Sequence, residues 1–450
     1  MAKVLSEDLG TQPINKLLIR QALPASIGVL VMSLNILVDT IFVGHWIGPT
    51  AIAAINVVLP VSFFIAALGM AIGVGGSSVI SRALGANNKE KALLTFGNQI
   101  TLTLLLTITM VVLGLWFVNA IIPSFGGKGA IFEPAKIYYK IVLYGVPVLA
   151  LSMMGNTVIR AEGKPKFAMY AMMIPSISNL ILDYVLINLL DYGMAGAAWA
   201  TTASYGFSFA FILWFFLSKN SELKVGLHHF KLQLNTVKEI GTLGFVTLAR
   251  QAVVSVTYLL INNMLYHLGG EVSVTAYAIV GRMLMFAMFP VLGITQGFLP
   301  IAGFNYGAHQ YARVRESIII SIKYAGILAS IVFLVLMLFP NAITKMFTTD
   351  TEVLKHTPSA MRWVFAATPI VAVQLIGAAY FQAIGKARPA LLLTLTRQGF
   401  FFIPLIFMLP KFYGELGVWL SFPIADVLAT VVTAYFLSKE MAKTLKPNQS

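Results

Sequence analysis

Residues 17–45 read LLIRQALPASIGVLVMSLNILVDTIFVGH. The stretch exceeds the roughly 20 mostly apolar residues that a helix needs to cross the hydrocarbon of a bilayer. It lacks the strict apolar/polar alternation of a half-buried strand. Its one acid, Asp39, lies deep in the second half. Working outward, runs of the same texture recur, and twelve are expected. They lie near 17–45, 51–81, 93–122, 135–160, 167–190, 194–217, 240–266, 272–301, 317–340, 360–384, 389–410 and 416–438. Polar or Gly/Pro-marked turns such as Gly85-Ala86-Asn87-Asn88-Lys89 separate them.

Composition agrees. Of 450 residues, 58% are hydrophobic and only 11% charged, against roughly 25% charged in a soluble domain. That scarcity excludes a water-soluble enzyme. The net charge of +14 comes without a dense basic run, so nucleic acid is not an expected partner. With no cysteine there is no disulfide framework and no thiolate metal site. Lys and Arg concentrate on one side of the spans. Twenty of the 31 fall in the two tails, Lys3 and Lys446 included, and in the loops on the same side as the tails; five fall in the opposite loops. The positive-inside rule then puts both termini of this multi-pass protein in the cytoplasm, and a plasma (bacterial inner) membrane is the expected location.

Sliding the chain against itself by 222 residues aligns its halves. Ala54 falls on Ala276, Gly75 on Gly297, Gly85-Ala86 on Gly307-Ala308, Pro147 on Pro369 and Gly163-Lys164 on Gly385-Lys386. One deleted residue later, Gly193 and Gly196 meet Gly414 and Gly417. Six spans return the chain to its starting side, so the halves share one orientation. The expected fold is all-α integral membrane: twelve transmembrane helices in two six-helix bundles, related by pseudo-twofold symmetry along the membrane normal. The expected division is an N-terminal lobe at 1–217, a cytoplasmic linker at 218–238 and a C-terminal lobe at 239–450.

Charges inside a bilayer are costly, so the few that occur there carry information. Asp39 in the first span and Asp183 in the fifth both sit about 10 Å below the outer surface at 1.5 Å per residue. Asn179 shares the face of Asp183, four residues earlier. Thr201 in the sixth span reaches a similar depth, with Thr202 as its alternative. No Lys or Arg of the first half lies at that level; Arg82 and Arg160 sit at the cytoplasmic ends. The four oxygen-bearing side chains suit a hard cation, so Na+ is one candidate at Asp39, Asn179, Asp183 and Thr201. Two neighbouring buried carboxyls can equally hold one proton between them. The second half offers Ile261, Pro404 or Leu405, and Phe400 or Phe401 in the places of the two acids and the Asn, so the cluster belongs to the first half alone. Asp426 in the twelfth span reads as a structural ion pair with Arg250, Arg282 or Arg397. Pro24 and Pro175 read equally as static kinks or as moving bends.

These residues carry a resemblance. Leu23-Pro24 with Val38-Asp39-Thr40-Ile41-Phe42-Val43-Gly44 resembles the first span of multidrug and toxic compound extrusion (MATE) transporters. Ser81-Arg82-Ala83-Leu84-Gly85-Ala86, Arg160-Ala161-Glu162-Gly163-Lys164-Pro165 and the run from Gly193 to Thr201 are similar to later family motifs. The resemblance covers nearly the whole chain. It implies alternating access and export of small organic, often cationic or amphipathic, compounds in exchange for H+ or Na+, with no cofactor and no enzymatic activity. In the DinF-type branch the coupling residues match Asp39, Asn179, Asp183 and Thr201. The NorM-type branch also has acids in spans seven and ten, where this chain has Gln251 and no acid. A monomer is expected, because each pair of repeats encloses its own pathway. Two rivals remain. A lipid-linked oligosaccharide flippase would present basic residues to phosphates, and an intramembrane enzyme would need clustered Asp-rich metal motifs.

Overall fold

The computed structural model describes residues 5–444; Lys3 and Lys446 of the charge count lie outside the described residues. Long helices account for the described chain, and no strand is present among the described residues. In order they are α1 (Ile14–Trp46), α2 (Pro49–Gly85), α3 (Lys89–Trp116), α4 (Phe132–Ala161), α5 (Pro165–Leu189) and α6 (Gly193–Leu217). The continuous run Leu234–Gly307 is two helices, α7 and α8, meeting at a non-helical Gly270 (φ 65°, ψ −153°). Then follow α9 (Tyr311–Leu338), α10 (Thr351–Ala383), α11 (Ala387–Tyr413) and α12 (Glu415–Lys443). All are long and apolar enough to span a bilayer. Large apolar side chains such as Ile41, Phe63, Leu259 and Val431 are exposed, as helices facing lipid require. α10 starts nine residues before the expected span at 360. Asp350 caps it, its side chain accepting from the backbone N–H groups of Glu352 and Val353 and satisfying two orphan donors of the first turn.

The repeat is visible in the backbone. Left-handed φ angles recur in register at Gly48 and Gly270 (118° and 65°), Asn87 and His309 (56° each), and Gly163 and Gly385 (74° and 84°). After the deletion they recur at Gly193 and Gly414 (51° and 57°). Each pair marks a turn that ends one helix and starts the next, where a positive φ costs little only for Gly or a residue such as Asn.

By contact the chain forms two compact units, one built on Ile27–Thr247, the other on Leu9–Ser26 with the chain from Leu248 onward. The boundaries after 26 and after 247 are 221 residues apart, one short of the repeat shift, so the start of each repeat's first helix is counted with the other repeat's unit. Packing inside each unit repeats the pattern. A Cβ on Gly75 would lie 2.7 Å from the Gly244 nitrogen, and one on Gly297 would lie 2.8 Å from the Ala22 nitrogen. Gly297 and Gly244 are the repeat mates of Gly75 and Ala22. The missing side chains at Gly75 and Gly297 let two helix backbones meet at equivalent places. Each unit has its own core. One gathers Val43, Ile65, Tyr139 and Leu143, the other Ile261, Leu265, Tyr277 and Phe365.

The segment 218–238 is fastened to the first unit rather than hanging free. Asn98 donates through Nδ2 to the carbonyls of His229 and Lys231, and its Oδ1 accepts from Gln233 N–H at 2.8 Å. Glu162, in the turn between α4 and α5, is fully buried and accepts through Oε1 from Ser221 Oγ at 2.7 Å and Leu223 N–H at 3.0 Å. Its Oε2 is buried without a donor. Burial pushes the Glu162 carboxyl up to about 7 from its ordinary 4.5. With the folded value raised, the acid's contribution to stability is complete below about 4.5 and is lost as pH rises through about 7. The interval corresponds to about 3 kcal/mol. Thermal denaturation in detergent between pH 4.5 and 8 should therefore show the native chain weakening with rising pH. Glu162→Gln should flatten that slope, and an unchanged slope in the variant would refute the assignment.

Candidate functional site

α5 is shaped around its polar residues. Pro175 has no N–H, so it leaves the Ala171 carbonyl without its helical donor, and Ser208 Oγ of α6 supplies one at 2.8 Å. That bond favours the reading of Pro175 as a static kink. Asp183 ends the α-helical part, and the chain continues as π-helix over Tyr184–Leu189. Such widened turns shift the register of a helix and recur at functional sites.

Asp183 is fully buried, Asn179 is 5% exposed, and Asp39 is half-buried. The Asp39 and Asp183 carboxyls are close enough to act on each other directly. Neither Asp183 oxygen receives a hydrogen from an amide, hydroxyl or amine among the described residues. An ionised carboxylate only accepts, so a bond between the two exists only when one carries a proton. No described Lys or Arg forms an ion pair with either acid.

Thr201 donates through Oγ1 to the Ala197 carbonyl of its own helix at 3.0 Å and lies 3.4 Å from Tyr138 Oη of α4. Tyr138 in turn lies within electrostatic reach of both acids, and Tyr205 within reach of Asp39. Thr202, the alternative to Thr201, instead donates to the Ile141 carbonyl. Asn179 Oδ1 accepts at 2.9 Å from Asn35, one turn before Asp39 on α1. Asp39 and Asp183 therefore meet directly, Thr201 joins through Tyr138, and Asn179 joins through Asn35. Sequence reasoning missed Tyr138, Tyr205 and Asn35. Tyr138 and Tyr205 carry no charge to mark them in an apolar helix. Asn35 was the one with a signal: a lone amide one turn before the lone acid, on the same helical face.

The second unit carries no such cluster. Ile261, the repeat mate of Asp39, is packed in the core at 1% exposure. The deep Asp426 pairs with Arg397, whose Nε donates to Oδ1 at 2.5 Å and Nη2 to Oδ2 at 3.4 Å. Of the three expected partners, Arg397 holds it, and the acid is structural.

A different group, Glu90, His228 and His229, brings three ligand-type atoms within 4.8 Å of one another. His229 Nδ1 lies 2.8 Å from the Gly226 N–H and 3.2 Å from the Gly226 carbonyl, so either ring tautomer finds a partner there. His229 Nε2 lies 3.3 Å and His228 Nε2 3.6 Å from Glu90 Oε1. The group is a clasp between the 218–238 segment and the first turn of α3.

Comparison with known proteins agrees with this architecture. The MatE family model matches residues 24–185 and 247–408, one stretch in each repeat. The multidrug export protein MepA of Staphylococcus haemolyticus is 26% identical over 94% of this chain and 93% of its own length. MepA of Staphylococcus aureus is 25% identical over 94% of each chain. Among solved structures, the outward-facing conformation of a multidrug resistance MATE family transporter of the MOP superfamily superimposes with a TM-score of 0.91. It is 27% identical and covers 99% of this chain and 100% of that one. A MOP superfamily transporter from Pyrococcus furiosus, described as having a binding pocket of reversed polarity, matches equally well, with a TM-score of 0.91 at 27% identity over 99% and 100% of the two chains. With both repeats matched and the twelve-helix architecture in common, this multi-pass chain belongs to the MatE family of multidrug efflux transporters.

Proposed function

We propose that the protein is an antiporter that exports small organic, often cationic or amphipathic, compounds in exchange for H+ or Na+. The observation that carries this reading is the pair of acids. A buried Asp183 lies by a half-buried Asp39 in the membrane-spanning part of the first unit, with no basic partner among the described residues. A charge kept at that depth without a counter-ion is costly unless it has work to do. Binding one cation there removes the repulsion between the acids, and releasing it restores the repulsion. That difference is what a transporter needs to bias one conformation over another.

In this cycle Asp39, the more accessible acid, takes up the cation, and Asp183 behind it shares the charge. Asn179 and Thr201 carry the neutral oxygens that a Na+ ion would have to recruit, and Tyr138 ties Thr201 to the acids. The lobes that alternate are read as 1–217 and 239–450, joined by 218–238, with both termini in the cytoplasm and one chain as the working unit. The branch reading is DinF-type, since the second unit lacks the cluster.

The test is transport in proteoliposomes with H+ and Na+ gradients imposed separately. Uphill movement of a cationic dye with one gradient is expected, and it should collapse when that gradient is dissipated. Downhill flux alone, with neither gradient able to drive accumulation, would overturn the reading.

A further inference from the structure

Asn35 lies one turn before Asp39 on α1, and its side-chain Nδ2 makes two contacts on α5: the Ser176 carbonyl at 3.2 Å and Asn179 Oδ1 at 2.9 Å. The first contact fixes the second. A backbone carbonyl only accepts, so the atom of Asn35 that faces it is the NH2 group. The Asn179 atom facing that same NH2 must be an acceptor, hence Oδ1 and not Nδ2. The usual ambiguity of amide orientation is thereby removed at both residues. Asn179 is left with its oxygen engaged and its NH2 group buried without an acceptor among the described residues.

This orientation works against a sodium ion. A hard cation is bound by oxygens, and the cluster offers Asp39, Asp183, Thr201 and the single amide oxygen of Asn179. Recruiting that oxygen requires it to turn from Asn35, which leaves the Asn35 hydrogen bond unmade. If it stays, the ion shares the oxygen with a donor whose positive end faces the same way. The Thr201 hydroxyl hydrogen points to Ala197, and of its two lone pairs only one faces the Tyr138 hydroxyl at 3.4 Å, so the amide is the more contested ligand.

We infer that Asn35 is a positioning residue that holds the Asn179 amide oxygen out of the cation ligand set and so discriminates against Na+ at the Asp39/Asp183 pair. The inference rests on the reading of that pair as the coupling site, and its test is made to fail separately. Na+ affinity of the purified full-length protein would be read from the Na+-dependent rise in melting temperature, with K+ or choline held at constant ionic strength. Asn35→Leu removes the donor while keeping the number of side-chain heavy atoms and should tighten Na+ about tenfold, the scale of one ordinary hydrogen bond. Asn35→Ser, shorter and milder in case the first variant does not fold, should shift affinity in the same direction. Asn179→Ala introduced into Asn35→Leu should cancel the gain, because the freed oxygen is then gone. Unchanged Na+ affinity in both Asn35 variants would overturn the inference, as would a gain that survives Asn179→Ala. Loss of gradient-driven transport by the native chain would instead bear on the antiport reading, since the binding measurement does not depend on transport.

Discussion

Asp39→Asn should reduce gradient-driven transport to the level of empty proteoliposomes while the protein still folds and inserts. Asn has nearly the volume of Asp, and Asp39 is only half-buried, so neither a cavity nor an overpacked core results. The chemistry changes at one point. The amide can donate from Nδ2 to Asp183, as a protonated Asp39 would, but it cannot release a proton and brings no negative charge to a sodium ion. The site is then fixed in its cation-loaded arrangement, and the two conformations of the cycle lose their difference in charge. A ligand that does not distinguish two states cannot shift the balance between them. Transport should fall by about a hundredfold or more. That corresponds to losing at least the roughly 2.7 kcal/mol that two decades represent at 1.36 kcal/mol each. Counterflow exchange, which needs substrate binding and reorientation but no net cation release, should survive to a greater extent. Full gradient-driven activity in this variant would sink the role assigned to Asp39.

The second large effect is on stability. Arg397→Ala should destabilise the protein by about 3–5 kcal/mol, because it strands a buried acid without its partner. Asp426 is 5% exposed, and its two oxygens are held by Nε and Nη2 of one guanidinium. Arg397 lies in a π-helical stretch, Thr396–Phe402 of α11, and Asp426 projects from α12, so the pair pins a locally widened helix to its neighbour. Breaking only one side leaves the desolvation cost of the other. Removing both in Arg397→Leu with Asp426→Leu should restore most of the loss, since an apolar pair of similar size is close to neutral in such settings. Thermal melts of Arg397→Leu, Asp426→Leu and the double variant, in one detergent and at one pH, form the required cycle. If the double variant is as weak as the sum of the singles, the pair is not the coupled unit described.

Twelve helices and the two-fold repeat were legible because both are written as local patterns. Span length is set by bilayer thickness, and the glycines at 163, 193, 385 and 414 recur because left-handed turns admit few other residues. The merged run Leu234–Gly307 illustrates the same point from the other side. Its two spans were separable by sequence, since Gly270 stands in register with the turn glycine Gly48. The early start of α10 was less legible. An Asp cap competes with loop readings until the first-turn amides are seen to point at it.

Sequence by itself determined the membrane class, the helices and the register of the repeat, and it set the depth expected of Asp39, Asn179, Asp183 and Thr201. Each of these follows from distance along a helix, at 1.5 Å per residue and 3.6 residues per turn. Which of them touch was decided only by tertiary structure, because depth says nothing of rotation about a helix axis. Rotation and packing bring Asp39 against Asp183, put Tyr138 beside Thr201 and clamp Asn179 by Asn35. Packing also assigned the first halves of α1 and α7 to units other than those of the rest of their repeats. The contact partner of a glycine such as Gly75 or Gly297 lies on another helix, and no pattern along one segment records it.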